Sequence, residues 1–105
     1  MSCLSVRAPV LVWYVGDLLP ALVLEVSDDG APFDFTGWTL ALTADGPVTV
    51  TGAATGDSLG NITYAWASGQ TAMPGDYAVY VVGTSPAPAK QRTFRLPDPV
   101  SIRRP

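Results

Sequence analysis

The stretch NITYAWA, residues 61–67, sets Ile62, Tyr64 and Trp66 on one side of an extended chain and Thr63 and Ala65 on the other. A period of two marks a strand with one buried face. The pattern recurs: Trp38, Leu40 and Leu42 alternate with Thr39, Ala41 and Thr43, and Leu22, Leu24 and Val26 share a face opposite Glu25. No window sustains a helical period. Ten glycines and ten prolines cut the 105 residues into short segments rich in Val, Thr, Leu, Tyr and Trp. The chain is therefore expected to be all-β.

Strands are expected at residues 10–15, 22–26, 38–43, 48–50, 61–67, 76–83, 91–96 and 100–104. Asp45-Gly46-Pro47 reads as a turn in which glycine supplies a positive φ and proline fixes the next one. TGAATGDSLGN, residues 51–61, reads as a polar loop, and SGQTAMPG, residues 68–75, has room for one helical turn before Pro74-Gly75 resets the chain. Strand 76–83 is apolar on both sides, which makes it central or covers its outer face with a partner. TSPAPAK, residues 84–90, forms a hairpin tip if the flanking strands are antiparallel neighbours. Seven or eight short antiparallel strands about ten residues apart argue for a single Ig-like β-sandwich spanning residues 1–105, with 1–7 and 99–105 as extended termini. The Cys, Trp and Cys core of antibody domains is absent.

Charged residues make up 14% of the chain, against roughly 25% in an average globular domain. So few charges suggest that part of the surface is covered by an assembly partner. The balance is also uneven. Residues 1–89 carry −7 and residues 90–105 carry +4, an asymmetry suited to neighbour-to-neighbour docking as well as to ordinary solvated faces. No apolar run approaches the roughly 20 residues of a membrane helix, and MSCLSVRAP shows no secretory signal. The expectation is a soluble chain with no membrane insertion, in which the lone Cys3 is a bystander.

The sequence holds no histidine, which removes the commonest general base and transition-metal ligand together. Neither a Cys-x-x-Cys pair nor a phosphate-binding glycine loop is present. No catalytic, cofactor-binding or metal-binding residue is expected, and the chain is read as non-enzymatic. Asp28, Asp29 and Asp34 form the densest acidic group. Calcium would suit clustered carboxylates, but an Asp-Asp-Gly after a strand reads better as a turn whose side chains accept local N–H bonds. Trp38 and Trp66 are in phase with aliphatic neighbours and are expected in the core. Trp13 and Tyr14 must point to opposite sides of their strand, so one of them faces outward. With Lys90, Arg92, Arg95, Arg103 and Arg104 they are the candidate interface residues. Alternation separates Lys90 and Arg92 from Arg95, and with the acidic remainder this argues against specific nucleic-acid binding.

The ordered set Gly16-Asp17, Asp29-Gly30, Pro32, Asp34 to Gly37, Gly60, Ile62, Tyr64, Trp66, Pro74-Gly75 and Tyr77, closed by FRLPDPVSIR, resembles the Ig-like domain at the N-terminus of phage baseplate upper proteins and related small tail proteins. The resemblance spans roughly residues 16–102. It implies a non-enzymatic virion subunit, assembled in the host cytoplasm, that binds other virion proteins of the tail, baseplate or capsid in multiple symmetric copies. Larger members continue into helical or fibre segments, whereas this sequence ends at Pro105, so a small stand-alone subunit is expected. Capsid decoration or a head-to-tail position is the alternative within the class, and a carbohydrate-binding, cell-surface module the alternative outside it.

Overall fold

A computed structural model describes residues 4–104, and Cys3 lies outside them. Among the described residues there is no helix, and the chain is all-β as expected. The strands are β1 Leu4–Arg7, β2 Val12–Tyr14, β3 Leu22–Asp28, β4 Ala31–Pro32, β5 Thr39–Asp45, β6 Thr49–Gly56, β7 Asn61–Tyr64, β8 Gly75–Thr84, β9 Gln91–Arg95 and β10 Val100–Arg103. They join in one curled sheet in the order β1-β3-β7-β6-β5-β8-β10-β2, with β4 added to β3 and β9 to β8. The sheet is mixed. Most pairs are antiparallel, but β2 runs parallel to β10, with Trp13 beside Ile102, which corrects the expectation of seven or eight purely antiparallel strands.

The alternation read from the sequence sets the core. Leu22, Leu24, Val26, Leu40, Leu42, Ala44, Ile62, Tyr64, Tyr77, Val79, Val81 and Phe94 all point inward and are buried. Both ends of the described chain belong to the sheet rather than trailing from it. β1 pairs with β3 from Leu4 to Arg7, and Val100 and Ile102 of β10 are core residues.

The region expected as a polar loop is instead mostly β6. Residues 49–54 pair with β5, then Thr55 and Gly56 cross to β7 and so join the two parts of the sheet. Glycine serves packing here rather than turning. A Cβ on Gly52 would lie 2.6 Å from the Tyr64 ring, and one on Gly56 would lie 2.5 Å from Phe35 Cβ. Gly46 follows the same logic. It lacks the positive φ expected of it, and its Cβ would fall 2.6 Å from the Asp76 carbonyl.

DDGAPFDFTGWTL makes two successive turns. Asp29 and Gly30 both have positive φ, 51° and 82°, between the paired Asp28 and Ala31. This is the two-residue hairpin turn that Asp-Gly favours. Next, the Trp38 N–H donates to the Phe35 carbonyl across Gly37, whose φ is 80°. Asp34 accepts from the Thr36 N–H and from its hydroxyl, at 2.9 and 2.6 Å. Trp38, expected in the core, is only half-buried, because β5 begins one residue later and leaves its ring at the rim beside Phe33, Phe35 and Phe94.

Segment 68–75 holds turns instead of a helical turn, with the Gln70 N–H on the Ala67 carbonyl and the Ala72 N–H on that of Gly69. β7 stops at Tyr64, yet Trp66 stays buried. Gln70 Oε1 holds this corner by accepting from the Tyr64 hydroxyl and the Ala67 N–H, at 2.6 and 2.7 Å.

Candidate docking face

The outward side chains of β5, β6, β8 and β9 line up in rows fixed by the register. One row reads Thr51, Thr43, Tyr80, Arg95; the next reads Ala53, Ala41, Val82, Thr93; a third reads Thr39, Thr84, Gln91. Beyond Ala78 the surface continues over Asp76, paired with Ser101 of β10, and over Val12 and Tyr14 of β2. Each row sits outside because its strand neighbours, such as Leu40, Leu42, Val79, Val81 and Phe94, are held by the core. What results is a broad sheet surface of Thr, Ala and Val with two tyrosines. Its charged members are Asp45, Asp76, Arg95 and Arg103.

The candidate interface residues separate on this geometry. Trp13 is buried at 1% exposure, its indole N–H donating to the Pro20 carbonyl at 2.7 Å, and so it is no interface residue. Ile102 beside it is also buried, which forces Tyr14 outward at 48% exposure. Arg95 lies on the sheet face over the Tyr80 ring, 5.2 Å from its centroid. Arg92 lies on the other side of β9, over Phe33 and Phe94 at 5.9 and 5.8 Å. Lys90 closes the β8–β9 hairpin, its N–H on Ser85 Oγ. Arg103 pairs with Tyr14 on the face, and Arg104 follows the end of β10.

These cations form no single patch. β9 and β10 lie against successive stretches of β8, Gln91 beside Thr84 and Ile102 beside Gly75, so the segment runs about 30 Å along that strand. The basic end of the sequence is thus drawn out along one side.

Arg92 over two phenylalanines and Arg95 over Tyr80 are each worth about 0.5–1 kcal/mol at exposed positions. They hold the guanidinium planes against the surface. Asp76 accepts from Ser101 Oγ at 2.7 Å, and Asp45 from Thr49 Oγ1 at 3.3 Å. Alternation predicts which side of each strand is buried. It does not predict that the other sides join across β2, β10, β8, β5 and β6, because strand order depends on pairing between distant segments.

Of the acidic group in DDGAPFDFTGWTL, Asp34 accepts the local bonds expected of it, whereas Asp28 Oδ1 is buried without a hydrogen-bond partner. Hydrogen bonds from the Thr36 hydroxyl and N–H hold the Asp34 carboxyl below the usual range. Asp57, which the sequence did not single out, is lowered chiefly by the Asn61 N–H. It also accepts from the Leu59 N–H at 2.9 Å, and so shapes the β6–β7 loop. Among the described residues no cluster of three or more His, Cys, Asp or Glu is placed to hold a metal ion. On the outer surface of β1 and β3 an open cleft of about 390 Å³ is lined by Ser5, Arg7, Glu25, Ser27 and Asn61 among others. Arg7 and Glu25 pair across it at 2.7 Å. Arg7 is well exposed and Glu25 partly so, and the pair adds little stability.

No protein-family model, curated protein or solved structure matches this chain.

Proposed function

We propose that the chain is a non-enzymatic structural subunit of a tailed-phage particle, held among its neighbours through the outer face of the β6-β5-β8-β9/β10-β2 surface. The observation that carries this reading is the face itself. It is wide, its threonine, alanine and valine rows are small and uncharged, and its two aspartates and two arginines balance one another, which suits packing against another protein.

We further propose that the curled sheet is an Ig-like sandwich. β1, β3, β7 and the far end of β6 would form one layer, and β5, β8 and β9/β10 the other. This follows the strand partition of that fold, with β6 shared between layers and the parallel β2 added at the edge. The ordered turn and strand motifs support a tail or baseplate position. Taking up Trp13 and Trp66 in the core favours assembly over sugar stacking, which needs exposed coplanar rings.

Mass spectrometry of purified particles tests the proposal. The chain is expected among the virion proteins, with a copy number of a few rings for a baseplate and hundreds for a decoration protein. Its absence from mature particles contradicts the structural role.

A further inference from the structure

We infer that the Thr/Ala sheet face is the contact of a two-fold dimer, with a second copy of this chain as its occupant; the inference rests on the docking role proposed for the same face. Two observations carry it, and the size of the face sets the strength expected.

The first is charge. Asp45 and Asp76 balance Arg95 and Arg103 on the face, so the chain's net charge of −3 lies entirely elsewhere. Off the face seven acids stand against four bases, whereas on it the charges balance, so self-contact there meets no net repulsion.

The second is reciprocity. Arg95 lies beside Tyr80, which lies beside Thr43, and Asp45 is two residues further along β5. On regular sheet spacing Arg95 and Asp45 are about 12 Å apart. A two-fold axis in the plane of the face, passing between them near Tyr80, sets each copy's Arg95 opposite the other's Asp45, as an isologous contact requires. Stacking on Tyr80 already keeps Arg95 flat against the surface. Ala41, Ala53 and Ala78 leave room for a second sheet to approach.

Five strands and seven or so residues give a footprint of about 500 Å², below the roughly 800 Å² per partner of a standard interface. Pairing on this scale is reversible and depends on concentration.

Sedimentation velocity of the full chain from about 1 to 500 μM tests this. The expected mass rises from 11.0 kDa toward twice that value. Ala41→Arg, at the centre of the face, stays monomeric throughout; Ser5→Arg, on the exposed side of β1, behaves as the parent does. Arg95→Glu and Asp45→Arg each weaken association at least tenfold, and mixing the two restores it. Circular dichroism and a thermal melt establish that each variant is folded, with Thr93→Arg on β9 as the second face variant should Ala41→Arg fail to fold. A parent chain that stays monomeric across the range overturns the inference. So does an Ala41→Arg or Thr93→Arg chain that pairs like the parent, or a charge-swapped mixture that does not recover. If the parent is monomeric but the chain is present in purified particles, self-pairing fails and the structural role stands. Absence from particles removes that role whatever the mass.

Discussion

Gly37 and Gly56 show two distinct demands that one residue type meets. At Gly37 the demand is conformational, since φ is 80° and a Cβ would meet only Pro86 at an ordinary 3.4 Å. Gly37→Val should therefore cost about 1 kcal/mol or more from backbone strain, a fall of roughly 4–8 °C per kcal/mol in the melting temperature of a domain this size. At Gly56 the demand is space: even Gly56→Ala must displace both Phe35 and Leu40, an overpacking cost of about 1–3 kcal/mol. Unchanged melting temperatures would show that neither site is constrained in this way. Asp57 adds a dependence on pH. Its carboxyl is held below its usual range by local N–H groups. The stability it contributes is therefore complete above the unfolded carboxylate pKa of about 3.9 and is lost as pH falls through the lower folded value. Asp57→Asn should melt below the parent at neutral pH, and the gap should close in strong acid. A constant gap would assign the loss to something other than the charge. At this scale the turn at Gly37 was legible in Asp-Phe-Thr-Gly. The packing role of Gly46, Gly52 and Gly56 was not, because it depends on rings that arrive from distant strands.

The strands are held together by their partners more than by their own propensities. β10 is four residues long, yet Val100 and Ile102 are buried and, among the described residues, it is the strand that joins β2 to β8. Ile102→Ala should cost about 2–5 kcal/mol, as buried aliphatic truncations do, measured by the denaturant midpoint. A loss under about 0.5 kcal/mol, the range of ordinary surface substitutions, would show that the C-terminal strand is peripheral. Strands with bulky alternating residues, such as β3, β5, β7 and β8, were legible because their inward side chains are large. β6 was hidden because its inward positions after Val50 are Gly52, Ala54 and Gly56, and its outward ones are mostly threonine. β1 was hidden because LSVR is short and gains its burial only against β3. Trp13 and Tyr14 left a choice that one neighbour decides: the parallel pairing with Ile102 turns Trp13 inward.

Across the whole molecule, the composition suggested a partly covered surface, and the fold gathers rows of threonine, alanine and valine on one sheet face. The basic C-terminal segment looked like a separate patch only while it was a line of text. Once laid along β9 and β10, its arginines divide between the rim, the face and the end of the molecule. The face could not be read beforehand, because it is assembled from strands whose order comes from long-range pairing. Its importance is best tested by incorporation into particles, comparing Ala41→Arg and Ser5→Arg chains supplied in place of the parent. The account predicts that Ser5→Arg chains enter purified particles at parental levels and that folded Ala41→Arg chains are excluded or strongly depleted. Equal incorporation of both would contradict a structural role exercised through this face.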